Sequence, residues 1–154
     1  MTIFNPAIKK LKEIWFSSDP HFGHARILEF KDFQGNLIRG NRFSSVEEMD
    51  EFMIQEHNKL VKPSDSWYCL GDVFFGGVSH GKSVLYRLNG RKRLLLGNHD
   101  RHLNVYQEFF EKIEVWKKTE MQGRKLILSH VPSHSGSVYG GYVNLSGHIH
   151  SELT

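Results

Sequence analysis

Hydrophobic residues in this chain fall into short runs that stop abruptly on polar, chemically capable side chains, and the segments between several of the runs carry helical spacing. Glu13 to Ser17 reads as a first strand, aromatic and β-branched, that ends at Asp19-Pro20-His21. Phe22-Gly23-His24 and Ala25 to Phe30 read as a tight turn into a short helix, followed by a polar loop from Lys31 to Phe43. Ser44 and Ser45 each precede a glutamate by three residues, Glu47 and Glu48, the spacing of a capping box. From Val46 onward, Met49, Phe52, Met53, Leu60 and Val61 recur at helical spacing, so a helix should lay one face on a sheet before Pro63 closes it. His57 on that helix has no partner at ligand spacing and reads as structural or exposed.

Ser66 to Leu70 is a second strand, stopping at Gly71-Asp72, and a helix is expected from about Lys82 to Leu88. Asn89-Gly90 turns the chain into a strand at Arg93 to Leu96, a leucine run broken by Gly97-Asn98-His99-Asp100. A helix around Asn104 to Glu111 follows. Ile113 to Lys117 and Lys125 to Leu128 read as strands paired about a turn at Gln122-Gly123, the second ending on Ser129-His130. A surface loop from Val131 to Tyr142 leads to a strand at Val143 to Leu145 and then to Gly147-His148-Ile149-His150. Strands alternating with helices, without repeat or linker, predict a single α/β domain over residues 1–154.

Composition narrows the setting. A chain of 154 residues with 39% hydrophobic content can bury one core. The net charge of +3 suits an anionic substrate, but Lys and Arg are scattered, so nucleic acid is permitted rather than indicated. Cys69 is the only cysteine, which forbids an internal disulfide and fits a reducing compartment. The N-terminus has no apolar signal core and no apolar run approaches membrane-spanning length, so a cytoplasmic protein without a membrane partner is expected. The Asn144-Leu145-Ser146 glycosylation triplet is then a chance match.

The 10 histidines change the picture. Five predicted strands each end in metal-competent side chains: Asp19 with His21, Asp72, Asn98 with His99, His130, and His148 with His150. Strand ends on one edge of an α/β sheet converge, so residues far apart in sequence can share one site. Imidazole, carboxylate and amide donors suit manganese, iron, zinc or nickel. His148 and His150 alternate along an extended chain and cannot easily enter one mononuclear site, which two adjacent metals resolve. Asp72 is the natural bridging carboxylate, since its two oxygens can span cations about 4 Å apart. Such a pair clamps a phosphoryl oxygen while metal-bound hydroxide attacks in line. His99 is placed to protonate the leaving oxygen, Asp100 to accept its ring N–H, and Gly97 to let the backbone turn sharply.

Asp19-Pro20-His21, Gly71-Asp72, Gly97-Asn98-His99-Asp100, His130 and Gly147-His148-Ile149-His150 resemble, in order, the five motifs of calcineurin-like metallophosphoesterases. The Asp-x-His-Phe-Gly-His opening resembles the small bacterial and viral members. The resemblance implies one metal held by Asp19, His21, Asp72 and His150, and a second by Asp72, Asn98, His130 and His148. It further implies His99 as the catalytic histidine, manganese as the first choice of metal, and a fold of two mixed β-sheets packed as a sandwich flanked by helices. Relatives usually continue with further strands past the last motif, where Ser151 to Thr154 stand here, so a monomer or a homodimer joined at an exposed sheet edge is expected.

The expected activity is a dinuclear metal-dependent phosphoesterase, a phosphodiesterase in preference to a phosphomonoesterase, whose substrate can be a nucleotide or nucleic acid. His24, Arg42 and Arg101 are candidate substrate contacts, His24 having helix capping as its alternative. One rival is a phosphate-binding loop, because Gly76 to Ser83 satisfies G-x-x-x-x-G-K-[ST]. Another is a non-catalytic metal-binding module. His80, His102 and His134 lack motif context and read as surface residues, and Phe74-Phe75 as packing.

Overall fold

The computed structural model describes residues 12–39 and 41–149. His150, expected as a metal ligand, lies outside the described residues. Two sheets and three α-helices make up an α/β architecture among them. The first sheet contains β1 (Ile14–Ser17), β2 (Ser66–Cys69), β3 (Arg91–Leu95) and β4 (Lys112–Glu114), in that order and all parallel. The connections carry α1 (Val46–Leu60), α2 (Val78–Arg87) and α3 (Leu103–Phe109). The second sheet holds β5 (Trp116–Met121), β6 (Arg124–Ser129) and β7 (Val143–Leu145), with β5 antiparallel and β7 parallel to β6.

Local chemistry accounts for the start of α1 and for the β5–β6 turn. Ser45 caps α1 by accepting from the Glu48 N–H at 3.2 Å, while the Glu48 carboxylate reaches back to the Ser44 N–H at 2.8 Å. Gln122 and Gly123 both adopt positive φ, the turn that matches the twist of the β5–β6 hairpin.

Two expectations are corrected. Among the described residues the first sheet is purely parallel rather than mixed, because a helical crossover links each successive pair of its strands. The run from Ile113 to Lys117 is not one strand. Ile113 pairs with Leu94 in the first sheet, the chain leaves at Val115, and Trp116 pairs with Ser129 in the second. An apolar run does not record a change of partner.

Alternation along the strands explains why the first sheet is buried on both faces. Trp15, Trp67, Cys69, Leu94 and Ile113 face the helices and pack with Ile54, Val84, Leu85, Tyr106 and Phe110. Ile14, Phe16, Tyr68, Leu70 and Leu95 face the other way and meet Leu126, Leu128 and Leu145 of the second sheet. All four parallel strands therefore bring their C-terminal ends to one edge, where loops can converge. Among the described residues no helix is long and apolar enough to cross a membrane.

His57 proves structural. Its Nε2–H donates to Asn89 O at 3.0 Å and its ring stands edge-on to Trp67, with centroids 4.7 Å apart. Burial holds its pKa below the ordinary 6.5, opposed in part by the Asn89 hydrogen bond. A depressed folded pKa means that the unfolded chain takes up the proton first, so stability is lost as pH falls below about 6.5. In urea unfolding, the stability advantage of the wild type over His57→Gln should therefore shrink between about pH 7.5 and about pH 5.5.

Candidate metal centre

The strand-end loops are locked by backbone pairing before any side chain is counted. Asp19 N–H donates to Gly71 O at 3.1 Å, His21 N–H to Asp72 O at 3.1 Å, and Phe22 N–H to Val73 O at 3.0 Å, so the loops after β1 and β2 run side by side. Gly147 N–H donates to His130 O at 2.8 Å and joins the loops after β6 and β7. Asp19, His21, Asp72 and His148 all adopt left-handed backbone, with φ of 51°, 53°, 56° and 73°. Residues with side chains seldom adopt that conformation, and clusters of them mark sites where geometry is imposed by function.

Two partly or fully buried side chains that the sequence reading did not single out hold these loops from behind. The Arg39 guanidinium donates to Pro20 O at 2.7 Å and to Asp19 O at 2.6 Å. The buried Asp50 carboxylate, on α1, accepts the Gly23 N–H at 2.9 Å and bonds His80 Nε2 at 2.8 Å. Burial raises the Asp50 pKa, against the Gly23 and His80 hydrogen bonds. His80 is thus a clamp on the His21–His24 loop rather than a bystander. The available signal was Asp50 itself, a carboxylate inside the apolar stripe of Met49 and Met53. His102 stacks on Phe74 with centroids 5.4 Å apart, while His134 stays exposed.

The ligand-competent atoms form two groups around Asp72. His21 Nε2 lies 3.6 Å from Asp19 Oδ1 and 3.9 Å from Asp72 Oδ2, all three residues buried. One ligand atom from each lies within 4.8 Å of the others, a grouping able to hold a cation. On the other side, His130 Nε2 is 3.5 Å from the same Asp72 Oδ2 and 2.8 Å from Asn98 Oδ1. His130 Nδ1 lies 2.8 Å from Leu70 O, which fixes the ring and leaves Nε2 to face the centre. The His148 ring stands edge-on to His130 with centroids 5.1 Å apart, and its backbone N–H donates to Asp19 Oδ2 at 2.9 Å. Burial alone would raise the Asp19 carboxyl, but hydrogen bonds from His21, Ser18 and the His148 N–H hold it well below the usual carboxylate range.

Asp100 departs from its expected role. Its carboxylate does not hold the His99 ring; it accepts the N–H of Asp72 at 2.9 Å, Val73 at 2.9 Å and Gly97 at 2.8 Å, and the Tyr106 hydroxyl at 2.8 Å. The backbone does turn at Gly97, with the Asp100 N–H on Gly97 O at 3.3 Å, but Gly97 is absent from the positive-φ positions and its need is for space. A Cβ there would lie 2.1 Å from Asp72 Oδ1. His99 is exposed, with its backbone N–H on Asp72 Oδ1 at 2.9 Å.

His24 precedes a short 3-10 turn, Ala25–Leu28, without capping it through its side chain. Its Nδ1 is buried without a hydrogen-bond partner among the described residues, and its pKa is lowered by burial and then by His21 and His99. Of the two arginines, Arg42 lies 4.5 Å over the Phe52 ring on α1 and 5.8 Å over the Phe43 ring, and Arg101 is exposed with no ion pair among the described residues. The phosphate-loop reading of Gly76 to Ser83 fails on geometry. Helix α2 starts at Val78, so Gly81-Lys82-Ser83 sit inside the helix, and Lys82 pairs with Glu108 at 2.7 Å.

The chain is 31% identical over 144 residues to the uncharacterized protein MJ1445 of Methanocaldococcus jannaschii, a match covering 92% of this chain and 71% of that one. The chain belongs to the MJ1445 family. The gene 66 protein of Mycobacterium phage D29 is 34% identical over 101 residues, which cover 64% of this chain and 45% of the phage protein. The crystal structure of AQ665, a protein of unknown function from Aquifex aeolicus, matches with a TM-score of 0.64 and 30% identity over 79% of this chain and 62% of that one. No family model matches the chain.

Because Asp100 satisfies backbone donors from two strand ends, Asp100→Asn should lower stability by about 1–3 kcal/mol, its amide facing N–H groups with another donor. The measurement is the shift in free energy of urea unfolding, with secondary structure monitored by circular dichroism.

Proposed function

We propose that this protein is a dinuclear metal-dependent phosphoesterase with a metallophosphoesterase-like sandwich. The observation that carries the reading is the Asp72 carboxylate, whose Oδ2 lies 3.9 Å from His21 Nε2 on one side and 3.5 Å from His130 Nε2 on the other. The donor set fits two divalent transition metals, manganese foremost and iron, zinc or nickel as substitutes: mixed imidazole, carboxylate and amide oxygen, without sulfur. Asp19, His21 and Asp72, joined by His150, would hold one cation, and Asp72, Asn98, His130 and His148 the second. Bound there, the pair would supply a water acidic enough to act as nucleophile near neutral pH and would offset charge on the phosphoryl oxygens.

The chain's own residues supply the rest. The buried carboxylates are locked by backbone bonds, so the donor atoms need little rearrangement to bind cations. His99 stands exposed beside the centre, its backbone tied to Asp72, so its ring can hand a proton to the leaving oxygen. That role favours a diester, whose alkoxide leaving group needs the proton, and leaves a nucleotide or nucleic acid open as substrate. His24, with its bare Nδ1 beside His21 and His99, is the better placed of the candidate substrate contacts. Cys69, buried and with its thiol pKa raised by burial, suits a cytoplasmic enzyme.

Protein purified without chelator should contain about two equivalents of divalent metal and hydrolyse bis-p-nitrophenyl phosphate once manganese is supplied. His99→Ala should keep the metal and lose about 100-fold or more in kcat, whereas Asp72→Asn should lose metal. A chelator should abolish turnover, and Lys82→Ala should be nearly silent. Failure to bind any divalent metal would sink the reading, and metal binding without hydrolysis across a broad phosphoester panel would leave a non-catalytic module.

A further inference from the structure

We infer that Phe75 is the positioning residue for His99, a role that takes its catalytic meaning from the proposed phosphoesterase reading and its structural content from packing alone. An imidazole that must deliver a proton to one oxygen has to be held in place, since misplacement by about 1 Å can cost 100-fold in rate. The usual device is a carboxylate on the far ring nitrogen. Here both nearby carboxylates are engaged elsewhere: Asp100 with four other donors, and Asp72 Oδ1 with the His99 backbone N–H. Among the described residues the His99 imidazole makes no hydrogen bond and no ion pair.

What the ring does have is a phenyl face. The Phe75 centroid lies 4.7 Å from that of His99 at an interplanar angle of 47°, and the same phenyl lies 4.9 Å from His21 and 4.2 Å from His24. Phe75 is itself anchored. Its N–H donates to Phe22 O at 2.8 Å, directly after the bridge between Phe22 and Phe74, both buried. One ring following β2, itself 37% exposed, thus bridges the loops that follow β1 and β3. Held by packing, the imidazole keeps both nitrogens available: as imidazolium it would pass one N–H proton to the leaving oxygen while a water oxygen bonds to phosphorus and the P–O bond breaks, the leaving oxygen taking the pair of that bond and the nitrogen keeping the pair of its N–H bond.

Nuclear magnetic resonance of metal-free protein tests the packing. The His99 ring protons should be displaced by the Phe75 ring current, the displacement should vanish in Phe75→Leu, and Phe75→Tyr should retain it. In manganese-loaded protein with bis-p-nitrophenyl phosphate, Phe75→Leu should lower kcat by about 10-fold or more and leave KM within about two-fold. Phe75→Tyr should restore most of the rate, and in a His99→Ala background Phe75→Leu should cost nothing further. Unchanged His99 resonances in Phe75→Leu, or rate losses that multiply in the double variant, would overturn the inference. A wild type that binds metal but hydrolyses nothing would sink the phosphoesterase reading instead, and the resonance measurement would still decide whether Phe75 holds the ring.

Discussion

Four donors converge on the Asp100 carboxylate, and the relative placement of two strand ends depends on them. Asp72 and Val73 follow β2, Gly97 follows β3, and Tyr106 rises from α3, so one buried-side carboxylate ties two loops and a helix together. Without that knot, nothing in the parallel pairing of β2 and β3 would set how closely Asp72 approaches Gly97, because the ladder ends at Cys69 and Leu94. The closeness is severe. Even a methyl group at Gly97 would intrude on the Asp72 carboxylate and on its backbone nitrogen.

The same logic distributes strain and buried charge. Left-handed backbone at Asp19, His21, Asp72 and His148 is unfavourable for residues with side chains and persists only when surroundings over-determine it. Those surroundings can be named: backbone bonds from Asp19, His21 and Phe22 to the loop after β2, the Arg39 guanidinium on two carbonyls, and the Asp50–His80 pair on Gly23. Burying Arg39 and Asp50 carries a desolvation penalty that an exposed loop would not require. Their hydrogen bonds offset it by holding loops that the sheet ladder does not reach.

Much of the layout was legible in the sequence. Apolar runs that stop on Asp72, Asn98 and His130 located the strand ends, and the Ser45–Glu48 spacing located the start of α1. Three things were not legible, each for a physical reason. The split of the Ile113–Lys117 run depends on which partner each half pairs with, which periodicity does not encode. The start of α2 at Val78 was masked by Gly76-Gly77 and Gly81, residues that read as loop, although Gly76 packs closely against His80 and Gly81 against Phe74. The duties of Asp100, Arg39 and Asp50 rest on contacts with residues distant in sequence, where adjacency to His99 suggested a local bond instead.

The candidate site is asymmetric in depth, and this bears on the proposed phosphoesterase reading. Asp19, His21, Asp72 and His130 are buried, whereas Asn98, His99 and His148 are exposed. The exposed three follow β3 and β7, so the centre opens on that side and is closed behind by the loop that Asp50 and Arg39 hold. Deep burial of carboxylates favours cations by withholding water as a competitor, and the same burial would exclude a bulky phosphoester. An open rim carrying His99 reconciles the two demands. On the proposed phosphoesterase reading, the charged donors stay fixed at depth, while the one group that would meet a leaving oxygen stands where a substrate could arrive.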